Sequence, residues 1–389
     1  MLVGSNFVSQ IITISLLPFI TRLYSPSEIG KVEVIMSWVA IIATVSMLKM
    51  EVAIPVAEDT DVGFINSISV LLLLLFSTFS WIYNPAHVSP FYYIFSTFMI
   101  GLYNLLYNNS LRNKSYHNMS KSKVINSIVG NSIQVFGAFV PARFFFLFMG
   151  RTFVGSAGAI CLIKDFKLNK FRNLKEMKLI LAKYKKFPLL LTPSTLLNSA
   201  GLTLPILIIN SMFGKEISGQ YSLAFRAVSF PVSLLTASLS QVIYAEASSY
   251  YKNGEKEKIR KITLKTILSM LILGGLLGTF LMIFGPKLFE TIFGSKWKLA
   301  GELSQAMGLI LIVRMAANPI NLPIPTIYNK QNIVLVLDIL RFLLVVLSFA
   351  ISYFAKLDII KTIWLFSISM FIVYTTTILV VINIVYKNK

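Results

Sequence analysis

The residues best equipped for chemistry in this chain are charged side chains set inside apolar runs. Arg22, Lys49, Arg151, Arg226, Arg314 and Arg341 are the cations; Glu33, Glu51, Glu246 and Asp338 are the acids. An ionisable group at the centre of a lipid span costs about 2.5–3.5 kcal/mol on insertion scales, so such positions mark function by default. Arg22 and Glu33 fall near helix ends, where long side chains snorkel towards water, and Glu246 falls at an interface. Asp338 and Arg341 are three apart on one helical face, the spacing of a structural ion pair. Lys49 and Glu51 are two apart and, on a helix, point to different faces, so they do not neutralise each other directly. Arg151 has no local acid, Arg226 lies shortly before Pro231, and Arg314 precedes Asn318 by one turn. Pro319, Pro323 and Pro325 then free backbone carbonyls, the mark of a broken helix lining a cavity. Arginines without local acids in several helices imply a water-filled cationic lumen that receives an anion. A planar guanidinium fork suits phosphate oxygens better than an ammonium does.

Other chemistry has little to work with. Cys161 is the single cysteine and lies in an apolar run, while His87 and His117 sit far apart in polar connections. That pattern offers no disulfide and no thiolate or imidazole cluster for a metal. Paired carboxylates and a Ser/His/Asp set are not visible either, so no cofactor, metal or catalytic residue is expected.

The elements that must position the charges are membrane helices. Of 389 residues, 56% are hydrophobic and only 13% charged, with a mean hydropathy of +0.73. Soluble chains carry about 25% charged residues, so the missing polar surface must face lipid. A net charge of +20 would suggest nucleic acid in a soluble protein. Here the basic residues fall between apolar spans, and no nucleic-acid partner is expected. Spans of about 20 apolar residues are expected at 3–23, 32–56, 63–84, 90–110, 124–141, 143–163, 187–211, 219–245, 263–284, 303–326, 331–354 and 360–386. The chain opens directly into the first of these without the pattern of a removable signal peptide.

Orientation follows from the lysines and arginines. With a cytoplasmic N-terminus, the inner connections hold about 21 basic residues against about nine outside, the positive-inside sign. Both termini are then cytoplasmic. The strongly basic segment 164–186 divides an N-terminal six-helix lobe, 1–163, from a C-terminal one, 187–389. An internal echo supports duplication. Leu17-Pro18 leads to Tyr24 and, six positions on, Gly30; Leu204-Pro205 leads to Phe213 and, six positions on, Gly219. Repeats with an even number of helices share one orientation and are related by an axis along the membrane normal.

Three stretches carry a family resemblance: Leu17-Pro18-Phe19-Ile20-Thr21-Arg22-Leu23-Tyr24-Ser25-Pro26; Tyr184-Lys185-Lys186-Phe187-Pro188 through Gly219-Gln220-Tyr221-Ser222-Leu223-Ala224-Phe225-Arg226; and Phe284-Gly285-Pro286-Lys287-Leu288-Phe289 with Trp297, leading into Arg314. In these the chain resembles the Wzx-type O-antigen and polysaccharide flippases of the multidrug/oligosaccharidyl-lipid/polysaccharide (MOP) exporter superfamily. Where that family often shows Arg-Tyr-Glu late in the second helix, this chain has Lys49-Met50-Glu51, which keeps the charge without the guanidinium fork. The resemblance implies an all-α, MATE-like membrane fold in a bacterial inner membrane. It also implies an undecaprenyl-diphosphate-linked glycan moved to the outer leaflet by alternating access, among membrane lipids. The polysaccharide polymerase and chain-length regulator are candidate protein partners. Under this reading Arg22, Lys49, Arg151, Arg226 and Arg314 bind substrate in a cationic lumen, and Glu51 is the best-placed acid for a coupling ion. A cation-coupled multidrug exporter of the same fold is the alternative; it would need acidic rather than cationic lumen residues. A membrane polysaccharide polymerase or ligase would show a large outer loop, and a scaffold would give no reason for intramembrane arginines.

Overall fold

The computed structural model describes residues 2–169 and 174–387. The expected cytoplasmic tail's last residues, Asn388 and Lys389, and part of the basic connection, 170–173, lie outside the described residues. Every described regular element is helical, and the chain divides into two compact units, Met1–Gly219 and Gln220–Lys389. The protein is an all-α, multi-pass membrane protein. By length and composition, seven described helices suffice to cross a membrane, or eight if one bent pair is a single span.

In the first unit α1 (Leu2–Leu23) meets α2 (Pro26–Val45) at a turn that the sequence encodes locally. The Ser25 hydroxyl accepts from the Glu28 amide, the Glu28 carboxylate accepts from the Ser25 amide, and Pro26 starts the helix. Arg143 grips the same carboxylate through Nε and Nη2, both at 2.6 Å, and the Tyr24 hydroxyl donates to the Gln134 carbonyl at 2.8 Å. The turn is thereby tied to α5 (Tyr116–Gly137) and α6 (Arg143–Phe153). Between them lie α3 (Asp59–Phe79) and α4 (Pro90–Arg112), joined in the apolar interior by a reciprocal amide pair, Asn66 with Asn109, at 2.8 and 2.9 Å.

Two expected spans are corrected here. The continuous helix at 32–56 breaks after Val45, bends by 51° and resumes as a 3-10 turn over Met50–Val56. The span at 143–163 is an 11-residue helix followed by 3-10 turns, Ala157–Cys161 and Ile163–Asp165. Gly155 and Gly158, poor helix formers, lie where that helix gives out.

Short helix α7 (Leu174–Lys183) ends against the start of α3. Lys183 reaches Asp61 at 2.6 Å and Glu58 at 2.8 Å, and the Tyr184 hydroxyl donates to Asp61 at 2.9 Å. Those two carboxylates hold the Lys183 ammonium above its usual titration range. Helix α8 (Thr192–Lys252) then runs on to the second unit and leaves helical geometry at Gly214. Its φ of 84° is a left-handed conformation that glycine adopts without a Cβ penalty.

The duplicated glycines of the echo meet in space. A Cβ on Gly30 would strike the Lys215 carbonyl oxygen, and one on Gly219 would strike the Pro26 carbonyl oxygen, so each glycine faces the residue four before its counterpart. Backbone atoms cannot give way as a side-chain tip can. Gly30→Val should therefore destabilise the fold by about 2–3 kcal/mol, the upper range for overpacking, read as a lower thermal midpoint in detergent. An unchanged midpoint would show that the approach is not maintained.

The second unit contains the end of α8, then α9 (Lys256–Phe293), α10 (Lys298–Asn321), α11 (Pro323–Ile327), α12 (Gln331–Phe354) and α13 (Ile359–Lys387). Gln220 clips the α9–α10 turn: its amide donates to the Lys296 carbonyl at 2.7 Å and accepts from the Ala300 amide at 3.0 Å. On α9, Leu268, Ile272, Leu276, Phe280 and Ile283 form an exposed stripe at helical spacing, while Ile267, Gly274 and Gly278 are buried. An apolar stripe of that length has only lipid to face. The broken helix expected after Arg314 reduces to a one-residue interruption: α10 ends at Asn321 and α11 starts at Pro323, but Leu322 between them keeps a helical backbone and 295–327 runs as one span.

Candidate functional site: intramembrane cations

Among the arginines of the second unit, Arg314 has the most clearly defined surroundings. Arg314 lies in α10, half-buried, with its guanidinium 5.7 Å from the centre of the Phe225 ring. Its Nη1 donates to the Ser229 hydroxyl at 3.2 Å, and its buried Nε has no hydrogen-bond partner. No carboxylate pairs with Arg314 among the described residues. The Tyr221 hydroxyl is also buried without a partner, and its ring stacks on Phe225 at 6.0 Å. Helical spacing puts Tyr221, Phe225 and Ser229 on one face of α8. A cation held on an aromatic face, with donors left over, is equipped to take an anion. Arg226, also on α8 and half-buried, belongs to the same unit.

The first unit differs from expectation. Arg151 is paired: its Nε donates to Glu33 Oε1 at 2.8 Å, and Glu33 is 6% exposed. The acid comes from α2, 118 positions away in sequence, beyond any local pattern. Glu33, itself buried, thus anchors a half-buried ion pair instead of snorkelling.

Lys49 and Glu51 also approach each other, at 3.6 Å. They do so because the backbone is not α-helical there: Leu48 and Lys49 have φ of 50° and 57°, and a 3-10 turn follows. Two successive non-glycine residues in that region cost about 1–2 kcal/mol each, and sequence offers no signal for them. Glu51 is 3% exposed, and its second oxygen, Oε2, is buried without a hydrogen-bond partner. Arg22 is exposed in the last turn of α1. Within the first unit Arg22, Lys49 and Arg151 thus occupy three different elements.

Asp338 and Arg341 form the pair that their spacing suggests, at 2.9 Å on α12. Sequence reasoning missed the setting of Arg314, although Tyr221, Phe225 and Ser229 recur every four residues in the resemblance stretch or just beyond it. It also missed Arg112, whose Nη1 donates to the Ile54 and Ala57 carbonyls, both at 2.6 Å, and ties down the end of the 3-10 turn.

The fold defines a class. A lipid II flippase, MurJ, in an inward closed conformation matches 97% of this chain and 86% of its own, with a TM-score of 0.73 at 14% identity. An inward-facing multidrug resistance MATE transporter of the MOP superfamily matches all of this chain and 96% of its own, with a TM-score of 0.63 at 13% identity. The chain therefore has the MOP exporter fold. It belongs to the polysaccharide biosynthesis protein family, whose sequence model matches residues 19–301.

Two curated relatives agree with that placement. The lipopolysaccharide biosynthesis protein WzxC of Escherichia coli K12 is 23% identical over 135 residues, 35% of this chain and 27% of its own. A membrane protein of the cps region of Klebsiella pneumoniae is 26% identical over 155 residues, 40% of this chain and 30% of its own. The matched stretches thus span less than a third of either relative's length.

Proposed function

We propose that this protein is a flippase for an undecaprenyl-diphosphate-linked oligosaccharide, carrying it from the inner to the outer leaflet of a bacterial inner membrane. Arg151 of the first unit and Arg226 and Arg314 of the second would contact the diphosphate during alternating access by two six-helix lobes, 1–163 and 187–389, with both chain termini cytoplasmic. The supporting observation is Arg314, held on Phe225 with a buried, unpartnered Nε and no carboxylate partner among the described residues. A diphosphate is the anion that suits such a group, and the isoprenoid tail stays in lipid throughout. Without compensation the charged headgroup could not leave water. The role is transport, with no bond made or broken. The polysaccharide polymerase and chain-length regulator would receive its product.

The cation-coupled exporter reading is favoured by the MATE-like fold alone. That reading requires a lumen acid; Glu33 is paired with Arg151 and Glu51 lies 3.6 Å from Lys49.

The driving force follows from charge. A diphosphate carries roughly two negative charges, and at about 2.3 kcal/mol per charge per 100 mV an inside-negative potential contributes roughly 4–5 kcal/mol to outward transfer. Arginines fixed in helices do not travel with the substrate, so that benefit is kept. Flipping in sealed vesicles, with the potential clamped by valinomycin and a potassium gradient and no pH or sodium gradient, should accelerate as the interior becomes more negative. Transport indifferent to the clamped potential would reject this mechanism.

A further inference from the structure

The first unit also holds a cavity with a basic lining. This cavity, of 980 Å³, opens where the start of α2, the α3–α4 connection and the Gly214 break of α8 come together. Lys31, His87 and Lys215 line it, with Tyr83, Asn84 and Asn210, and the described lining contains no carboxylate. Lys215 is exposed and makes no ion pair among the described residues; Lys31 rests 5.1 Å from the Phe144 ring centre, again without an acid. The adjacent acid, Glu216, is exposed and is not part of the lining.

The walls are built rather than accidental. Asn210 donates to the Pro85 carbonyl at 3.3 Å, which ties the α8 break to the connection. Asn84 closes the connection on itself, donating to the Val88 carbonyl at 2.8 Å and accepting from the Val88 amide at 3.1 Å. His87 sits at the tip with a φ of 50°. The Tyr83 ring is braced edge-on by Trp38 at 5.0 Å, and Trp38 is fixed in turn by donating to the Ser80 carbonyl.

We propose that this cavity binds an acidic saccharide, the carboxylate-bearing part of a glycan, through Lys31 and Lys215 with Tyr83 as a stacking platform. The volume lies at the upper end for small-molecule pockets, far more than a single phosphate needs. Two ammonium groups without acids call for negative charge. A braced aromatic ring and side-chain amides serve the apolar faces and hydroxyls of sugar rings. All three walls lie at connections that a cytoplasmic N-terminus places on the outer side, where a flipped glycan emerges. The origin of the ligand rests on the flippase reading above; the chemistry of the cavity does not.

The test is direct binding to the purified full-length protein in nanodiscs, read by calorimetry and by Trp38 fluorescence. The probes are cellobiouronic acid, its neutral analogue cellobiose, and inorganic phosphate. The acidic disaccharide should bind about tenfold or more tightly than cellobiose, and the Lys31→Gln/Lys215→Gln variant should erase that difference. Lys215→Gln alone changes only an exposed side chain and supplies the same comparison if the double variant folds poorly. Equal affinity for both disaccharides, no binding of either, a preference untouched by the variants, or phosphate binding as tightly as the acidic disaccharide would overturn the assignment. Binding is measured without transport. Wild-type protein that binds but does not flip in vesicles would count against the flippase and leave the cavity standing.

Discussion

Arg314→Ala should lower glycan export by about 10- to 100-fold while leaving the protein folded in the membrane. Charge-assisted hydrogen bonds contribute about 1.5–3 kcal/mol each, and about 1.4 kcal/mol corresponds to a factor of ten. The variant removes one such contact from a carrier that needs it only while the headgroup is desolvated. Its structural cost is small, because Arg314 gives up one 3.2 Å bond to Ser229 and a ring contact, not an ion pair. Arg314→Lys keeps the charge and loses the fork, so it should retain an intermediate rate. Export in a strain lacking the native gene, normalised to the amount of inserted protein, separates these results. Normal export by Arg314→Ala would remove the main support for the anion site.

Glu33→Ala should have the larger effect on folding. It leaves the Arg151 guanidinium, 30% exposed in the pair, inside the unit without its counter-charge. Breaking a buried pair by removing one partner costs about 3–5 kcal/mol, whereas replacing both partners with apolar residues is often neutral. Partial exposure puts this site at the lower end of that range. Folded protein recovered in detergent should therefore fall sharply for Glu33→Ala and return towards wild type in Glu33→Leu/Arg151→Met. The double variant also separates the two roles open to Arg151. Stable but inactive protein would mean that Arg151 contacts the headgroup; stable and active protein would confine it to holding α2 against α6. Recovery failing in the double variant would show that the pair is not what Glu33 contributes.

These results depend on features of unequal legibility. The helix at 331–354 was readable to the residue because an unbroken apolar run, Asp338 and Arg341 aside, has no other stable form in lipid. The Asp338–Arg341 pair was readable because its geometry is local. The Gly214 break and the turn at Ser25-Pro26 were announced by residues with strong backbone preferences. The break after Val45 was not, because Ser46-Met47-Leu48-Lys49 contains neither glycine nor proline and its left-handed pair is imposed by tertiary surroundings. Arg151 looked solitary for a related reason: its acid is near in space and remote in sequence. Arg314 was legible as a cation inside a helix, but Phe225 and Ser229, which contact it, become visible only when α8 and α10 are seen side by side.

The broken second helix has an electrical consequence of its own. The C-terminal end of an α-helix behaves like about half a negative charge, and α2 ends at Val45, just before Lys49 and Glu51. With Glu51 ionised, the lysine, the carboxylate and the helix end together come to about minus one half. A proton or sodium ion on Glu51 reverses the sign, to about plus one half. An anion brought to this break would be repelled while Glu51 is bare and accepted once it is neutralised. Coupling free energies are reciprocal, so the anion in turn tightens the hold on that ion. An exchanger needs the opposite, two ligands that expel each other. Any ion taken up at Glu51 would then accompany the headgroup rather than counter it, and an inward ion gradient acting at this carboxylate would oppose export.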